Sequence, residues 1–243
     1  MTALACSARR LPILSAAALA AAALAWAPAA SAVQPPLPTA DAAEGTGEQD
    51  GRASAIFAGG CFWCMESPFD KLDGVISTTS GYTAGRLEDP TYYQVTTGRT
   101  GHTEAIKVVY DPQKVSYETL LNVFWRNVDP FQQNRQFVDR GNQYRTGVYY
   151  TPEQKAAAEA SLKQVQQRFD RKVATELAEA GPFYEAEAYH QDFYKTNPAR
   201  YNAYAASCGR VEGLNKIWGE EAGGASIIQE HNAKAAAGTP AAE

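Results

Sequence analysis

The chain has 243 residues, which is enough for one sizeable hydrophobic core or at most two small ones. Apolar residues make up 45% of it and charged residues 20%, the balance of an ordinary globular protein. The formal net charge of −5 argues against a nucleic-acid-binding protein, which would need a basic surface.

Residues 1–32 have the pattern of a signal peptide. Arg9 and Arg10 precede an apolar stretch at 11–26, and Ala30-Ser31-Ala32 is a small-x-small cleavage site. A membrane anchor is the alternative, but the apolar stretch is short for a span of ~20 residues. We therefore expect an exported protein, periplasmic or secreted, that is not membrane-bound after cleavage. The paired arginines leave general secretory and twin-arginine export both open.

Cysteine usage indicates redox chemistry. Cleavage at this site removes Cys6 and leaves Cys61, Cys64 and Cys208. An odd number of cysteines does not make a purely structural disulfide framework. Because unpaired thiols are readily oxidised outside the cytoplasm, a chain that keeps three of them there is expected to use them.

Composition divides the remaining chain into three parts. Residues 33–53 are rich in Pro, Ala, Gly and acids and are predicted to be a disordered linker. Residues 222–243 have a similar composition and are predicted to be a disordered tail. The folded domain is therefore expected at about 54–221.

Strand and helix patterns alternate within this domain. The expected elements are a strand at 54–58, a helix at 61–72, strands at 75–82 and 105–110, a helix at 116–127, a strand at 145–150, a helix from 151 to about 171, a short strand near 172–177 and a helix near 186–194. Ser116 should cap the second of these helices, and Thr151 with Pro152 should open the third. The order predicts an α/β fold with helices packed on an antiparallel or mixed sheet.

The most informative segment is Gly59-Gly60-Cys61-Phe62-Trp63-Cys64. The two glycines allow unusual backbone dihedrals and a close approach of neighbouring groups. A helix expected to begin at Cys61 would point its positive dipole end at the thiol and favour the thiolate. Cys64 can reach Cys61 across one helical turn. The pair is predicted to be redox-active, the alternative being two buried structural cysteines.

Further short motifs follow this segment in order along the chain. Together with the Cys61 segment, the motifs are Gly60–Trp63, Gly81–Thr83, Pro90–Tyr92, Thr100–Ala105, Asp129–Pro130, Gln143–Tyr150 and Tyr189–Tyr194. In these motifs, spread over about residues 54–220, the sequence resembles the A-type peptide methionine sulfoxide reductases. The resemblance implies a two-layer α/β sandwich with a mixed, largely antiparallel sheet, similar to the ferredoxin-like arrangement.

The resemblance also implies a reaction and its catalytic residues. The reaction is the reduction of the S epimer of methionine sulfoxide, free or in proteins, as a repair of oxidative damage. Cys61 is the implied attacking thiolate, and Glu104 the implied acid that protonates the sulfoxide oxygen. Tyr92 and Tyr144 are implied to hydrogen-bond that oxygen. A protonated oxygen leaves more readily, and a glutamate buried among tyrosines can carry that proton near neutral pH.

Three further residues are implied to bind the substrate. Phe62 and Trp63 would form an apolar wall for its methyl group, and Asp139 would help to orient it. The family often has His where Arg140 stands, so this loop departs from the usual pattern.

The thiol that resolves the Cys61 sulfenic acid is left open by the sequence. Cys64 is the favoured candidate, since one branch of the family has a cysteine at this position. Cys208 is the alternative, in a small-residue stretch at 205–210 that could be mobile. The two could also act in series.

The resemblance implies no bound metal or organic cofactor. The reductant should be an external thioredoxin-like dithiol, since the disulfide must be reduced after each cycle. Oxidised proteins or free methionine sulfoxide are the expected substrates, and we expect a monomer.

Three other functions are compatible with parts of this pattern. Cys61-x-x-Cys64 has the spacing of a thioredoxin-like disulfide oxidoreductase, which would not need Glu104 and the two tyrosines. A zinc module could recruit His102, His190 and Cys208, although their spacing fits no common site. A protein that holds oxidised clients without turnover is the third.

Overall fold

The computed structural model describes residues 51–238. Its strands are β1 (Ala53–Gly59), β2 (Val75–Thr83), β3 (Thr103–Tyr110), β4 (Arg135–Gln136), β5 (Asp139–Arg140), β6 (Thr146–Tyr150), β7 (Glu176–Glu179) and β8 (Phe183–Glu185). Its α-helices are α1 (Trp63–Phe69), α2 (Tyr92–Thr96), α3 (Tyr117–Arg126), α4 (Lys155–Arg168), α5 (Phe193–Thr196), α6 (Pro198–Ser207), α7 (Arg210–Trp218) and α8 (Ala225–Ala236).

Six of the strands form one mixed sheet in the order β7-β6-β1-β3-β2-β8. Neighbouring strands are antiparallel, except that β6 and β7 are parallel. The predicted α/β class with a largely antiparallel mixed sheet is confirmed. β1 lies near the centre, where Phe57 pairs with Ile106 on β3 and Val148 on β6.

The two faces of β1 pack into different clusters, as its two-residue side-chain period requires. Ala55 and Phe57 belong to the main core, whereas Ile56 and Ala58 belong to a smaller cluster on the opposite face. Phe57 stacks on Phe69 of α1 and on Phe124 of α3, with ring centroids 5.3 and 5.2 Å apart. The main core therefore fixes α1, which follows the Cys61 turn, against the sheet.

Two sequence predictions about helices have opposite outcomes. Ser116 caps α3 as predicted, because its hydroxyl accepts a 3.2 Å hydrogen bond from the Thr119 N–H. The predicted start of α4 at Thr151 is wrong, since the helix begins at Lys155 and ends at Arg168 rather than near 171. Gln154 explains the late start: its amide donates to the Ser54 carbonyl and accepts from the Thr151 N–H, so 152–154 form a turn.

The region after α4 departs further from the predictions. The short strand expected near 172–177 lies at Glu176–Glu179, where parallel pairing with β6 sets its register. The helix expected near 186–194 is wrong. A strand, β8, precedes a 3-10 turn at Ala188–His190, and α5 begins only at Phe193. Asp192 interrupts the helical path, because its φ of 50° is left-handed.

The predicted disordered tail does not match the structure up to residue 238. α8 spans Ala225–Ala236, Ile228 is buried, and Asn232 accepts from the Asp73 N–H at 2.9 Å and donates to the Lys71 carbonyl at 2.8 Å. An alanine-rich composition hides such anchors, because one apolar and one polar side chain suffice to hold a short helix against the domain.

Two predictions about the N-terminus lie outside the described residues. These are the signal peptide and all but the last three residues, 51–53, of the linker. Within residues 51–238, no helix is long and apolar enough to cross a membrane.

Candidate active site

The turn that carries Cys61 depends on Gly60. Its φ is +82°, a left-handed value, and a Cβ at this position would lie 2.5 Å from the Cβ of Gln136. Gln136 cannot easily move away, since its buried amide makes two hydrogen bonds, of 2.8 and 3.0 Å, to the backbone of Asp129. The chain therefore passes from β1 into α1 by a path that only glycine fits.

Replacing Gly60 with Ala is expected to destabilise the protein by about 3 kcal/mol, from left-handed strain together with overpacking. Denaturant unfolding measures the change. Gly223→Ala is the matched control, because Gly223 has a left-handed φ of +74° but no neighbouring atom within 4 Å of where a Cβ would lie. The control should cost only about 1–2 kcal/mol. Equal losses for the two variants would show that the contact with Gln136 is unimportant.

Cys61 and Glu104 lie on either side of one backbone amide. Cys61 is 8% exposed, and Glu104, on β3, is 1% exposed. The N–H of Phe62 donates a 3.1 Å hydrogen bond to the Glu104 Oε2. Burial raises the pKa of Glu104 to about 8, against the lowering effect of this hydrogen bond. The carboxyl group next to the thiol turn therefore holds its proton at neutral pH.

Tyr92 and Tyr144 are the two tyrosines predicted to be catalytic. They lie close enough to Glu104 and Cys61 for the charges of those groups to affect their pKa values. Tyr92 is the first residue of α2, and Tyr144 closes the 3-10 turn before β6. Burial, and then the charges of Glu104 and Cys61, raise the pKa of Tyr92 to about 12. Burial and the charge of Glu104 also raise the pKa of Tyr144. Both phenols therefore remain neutral hydrogen-bond donors.

The predicted apolar wall is held by aromatic contacts. The Trp63 ring stacks on Phe193 with centroids 3.7 Å apart, and the Phe62 ring lies 4.9 Å from the His190 ring. The Trp63 indole N–H donates a 3.0 Å hydrogen bond to the His190 Nδ1. Burial lowers the pKa of His190 to about 4, so the ring stays neutral and Nδ1 remains an acceptor.

Asp139 and Tyr204 join the site from the two-stranded β4-β5 ribbon and from α6. The Tyr204 hydroxyl donates a hydrogen bond to the Asp139 Oδ2. Burial raises the pKa of Asp139, against the effect of that bond. The charge of Asp139 in turn contributes to raising the pKa of Glu104, so the two carboxyl groups share one site.

Sequence reasoning missed Glu187 and Tyr204. The Glu187 carboxylate accepts hydrogen bonds from the Tyr82 hydroxyl at 2.9 Å and from the Tyr92 N–H at 2.8 Å, and so holds α2 at the site. No local pattern indicated it, because it lies in a segment that was predicted to be helical. Tyr204 lies in α6, and a helical reading of 198–207 would have placed it on one face with Tyr201.

The three cysteines are free and buried, with 8%, 4% and 2% exposure for Cys61, Cys64 and Cys208. The thiols of Cys208 and Cys61 both lie close enough to Cys64 to affect its pKa. The Cys208 thiol acts to lower the pKa of Cys64, but the Cys61 thiol and burial outweigh it and raise that pKa to about 12. The stretch around Cys208, which the sequence suggested could be mobile, joins the end of α6 to the start of α7, and the Cys208 side chain there is buried.

The zinc-module alternative has no support in residues 51–238. No group of three or more His, Cys, Asp and Glu side chains there is arranged to hold a metal ion. His102, one of the suggested ligands, instead hydrogen-bonds the Leu87 carbonyl through Nε2 at 2.7 Å.

Comparison with known proteins decides the family. The family model for peptide methionine sulfoxide reductase matches residues 53–222. The chain belongs to this family. It is accordingly an oxidoreductase that reduces methionine sulfoxide with thiols, as the resemblance implied.

Similar proteins agree with this assignment. A peptide methionine sulfoxide reductase MsrA from Ligilactobacillus salivarius is 51% identical over 168 residues, which cover 68% of this chain and 97% of that protein. The MsrA of Bacillus subtilis is 45% identical over 168 residues, covering 68% and 95%.

Solved structures of the family have the same fold. Methionine sulfoxide reductase A of Corynebacterium diphtheriae superposes with a TM-score of 0.57 at 32% identity, covering 62% of this chain and 77% of that one. Reduced Mxr1 from Saccharomyces cerevisiae gives a TM-score of 0.56 at 30% identity, covering 60% and 86%.

Proposed function

We propose that this methionine sulfoxide reductase acts on the S epimer, with Cys61 as nucleophile and Glu104 as general acid. The observation that carries the proposal is the pairing of a buried thiol turn with a buried, protonated carboxyl group through the Phe62 N–H. A sulfoxide oxygen leaves only if it is protonated while its sulfur is attacked, and the site supplies both groups on buried side chains.

The proposed reaction oxidises Cys61 as the substrate is reduced. The Cys61 thiolate attacks the sulfoxide sulfur, and Glu104 gives its proton to the oxygen. Tyr92 and Tyr144, both neutral donors, stabilise the developing charge on that oxygen. Transfer of the oxygen from substrate to thiol leaves a Cys61 sulfenic acid and releases methionine.

The contacts of Phe62, Trp63 and Asp139 support the substrate-binding roles that we propose for them. Phe62 and the stacked Trp63 offer an apolar surface for the S-methyl group, which excludes water and aligns sulfur with the thiol. Asp139, fixed by Tyr204, can accept a hydrogen bond from a backbone N–H of the substrate. This arrangement suits methionine sulfoxide both free and in proteins.

We propose that Cys64 and Cys208 resolve the sulfenic acid in series. The Cys64 thiol condenses with it, forming a Cys61–Cys64 disulfide and releasing water. Cys208 then attacks Cys64, which makes a Cys64–Cys208 disulfide and frees Cys61. The position of Cys64 between the other two thiols supports this order.

The remaining parts of the proposal concern the setting of the enzyme. An external thioredoxin-like dithiol would reduce the final disulfide, since each cycle ends with two electrons still to be supplied. The signal-peptide pattern at residues 1–32 supports export to the periplasm or outside the cell. The monomeric state remains a prediction for a sizing experiment.

The stoichiometry of a reaction without reductant tests this proposal. Reduced wild-type enzyme should release two methionines per chain. The first turnover ends with a Cys64–Cys208 disulfide and a free Cys61, and the second ends with a Cys61 sulfenic acid. Cys208→Ser should release only one. One methionine from wild type would contradict the series, and none would contradict the role of Cys61.

A further inference from the structure

Arg210, the first residue of α7, is buried against the turn that carries Cys61. It is 8% exposed, and its Nη2 donates a 2.8 Å hydrogen bond to the Gly59 carbonyl. Nη1 donates to the Asn127 carbonyl and lies 3.7 Å from the Met65 Sδ. The guanidinium also lies 4.9 Å from the centroid of the Phe137 ring. One cation therefore ties α7 to β1, α1 and the end of α3.

The charge of this guanidinium has no ionic partner in the part of the chain that the structure describes. None of the ion pairs there includes Arg210, and its hydrogen-bond acceptors are neutral carbonyls. A buried charge without a counter-charge is costly, so its retention points to a group that becomes negative nearby.

The titratable groups that face Arg210 identify this group. They come from α1, the β4-β5 ribbon, α6 and the α6–α7 junction. Against the larger effects of burial and of thiol hydrogen bonds, its charge acts to lower the pKa values of Cys64, Asp139, Tyr201 and Cys208. Asp139 is already held by the Tyr204 hydroxyl. Cys208 lies two residues before Arg210, and Cys64 directly precedes Met65, whose Sδ is 3.7 Å from Nη1. These thiols are the neighbouring groups that become negative only during disulfide exchange.

We propose that Arg210 is a positioning residue for disulfide formation: held by the Gly59 and Asn127 carbonyls, it provides the counter-charge for the attacking Cys64 thiolate. This inference rests on the proposed function. In the step, a bond forms between the two sulfurs as the Cys61 S–O bond breaks. The leaving hydroxide takes up the proton that Cys64 has lost, so water is the net product.

The same charge serves the next exchange. The Cys208 thiolate attacks the Cys64 sulfur, and Cys61 leaves as a thiolate. A thiolate therefore forms beside the same fixed cation in both steps: Cys64 in the first, and Cys208 and then Cys61 in the second. The substrate does not take part in either step, so Arg210 should act after methionine has been released.

Rapid-quench kinetics of Arg210→Met and Arg210→Lys test the inference. In Arg210→Met the first methionine should appear at the wild-type rate, while Cys61–Cys64 disulfide forms roughly tenfold more slowly, the effect of about one pKa unit. The sulfenic acid should accumulate and be trapped by a 1,3-dione. The pH profile of disulfide formation should move to higher pH in Arg210→Met and return towards wild type in Arg210→Lys.

Arg126→Met is the matched control. Arg126 is also largely buried, lies 5.1 Å from the Trp218 ring centroid, and is ion-paired with Glu221 rather than near the thiols. It should leave the disulfide rate and its pH profile unchanged. If Arg210→Met does not fold, Arg210→Gln replaces it, because glutamine removes the charge and keeps a side-chain N–H donor.

Two results would overturn the inference. One is an unchanged rate and pH profile of disulfide formation in a folded Arg210→Met. The other is slow disulfide formation in Arg210→Lys with the first methionine released normally. Failure of wild type to release any methionine would instead contradict the proposed function itself.

Discussion

Replacing Glu104 with Gln is expected to lower kcat for sulfoxide reduction by roughly 10²–10⁴-fold, the usual contribution of a general acid. Gln can still accept the hydrogen bond from the Phe62 N–H, so the Cys61 turn should keep its shape. What the variant loses is the proton that the sulfoxide oxygen needs. Single-turnover release of methionine is the appropriate measurement, since it excludes the later thiol steps.

The pH dependence of the wild-type enzyme should report the same proton. Because burial raises the pKa of Glu104 to about 8, the acid form prevails at neutral pH and is lost as pH rises through that value. The single-turnover rate should therefore fall above about pH 8, and this limb should be absent in Glu104→Gln. The free energy of unfolding should depend on the same group. Because the pKa of Glu104 is higher in the folded state than its unfolded value of 4.5, this group stabilises the fold fully below pH 4.5, and the contribution is lost as pH rises through about 8.

Glu66→Gln provides a matched control for these experiments. Glu66 is also a fully buried acid, and burial raises its pKa to about 7, but its Oε1 faces the Asp192 N–H rather than the thiol turn. The control should retain the single-turnover rate and the high-pH limb. A Glu104→Gln variant as active as Glu66→Gln would remove Glu104 from the mechanism.

Replacing Cys64 with Ser is expected to separate the first methionine from sustained turnover. Cys61 keeps its turn and its acid, so the first methionine should appear at a rate within about twofold of wild type. Turnover with a thioredoxin-like dithiol should be nearly lost, because in the proposed series the disulfide reaches Cys208 only through Cys64. A steady-state assay beside a rapid-quench assay measures both quantities.

Disulfide mapping identifies the outcome of this variant. We expect the Cys61 sulfenic acid to persist and to be trapped by a 1,3-dione. Rapid formation of a Cys61–Cys208 disulfide with full turnover would mean that Cys208 resolves directly. Cys208→Ser is the control, and it should form the Cys61–Cys64 disulfide as wild type does.

Sequence patterns predicted the regular elements whose side chains repeat clearly. The strands β1, β2, β3 and β6 are short runs rich in apolar or β-branched residues, and the capped helix α3 places apolar residues at the helical period of 3.6. These elements form the sheet and its main helix. They also bring the Cys61 turn and Glu104 together, because both lie at the ends of neighbouring strands β1 and β3.

The errors arose where long-range contacts outweigh local preference. Gln154 binds β1 instead of capping its own helix, and Asp192 breaks the expected helix with a left-handed φ. Cys208 lies among small residues that suggest mobility, yet it is buried by contacts with α1 that no local pattern reveals. For the same reason, Glu187 and Arg210 were not singled out from the sequence. Glu187 binds partners 95 and 105 residues away, and Arg210 binds carbonyls 83 and 151 residues away.

The most direct test of the account is a turnover assay of residues 33–243 with separate S and R epimers of a methionine sulfoxide peptide and a small dithiol. The account predicts reduction of the S epimer alone and no activity in Cys61→Ser. Reduction of insulin disulfides in place of sulfoxides would instead favour a disulfide oxidoreductase. If wild type reduces neither epimer while the dithiol is present, or if Cys61→Ser remains active, the assignment of Cys61 as the sulfoxide-reducing nucleophile is wrong.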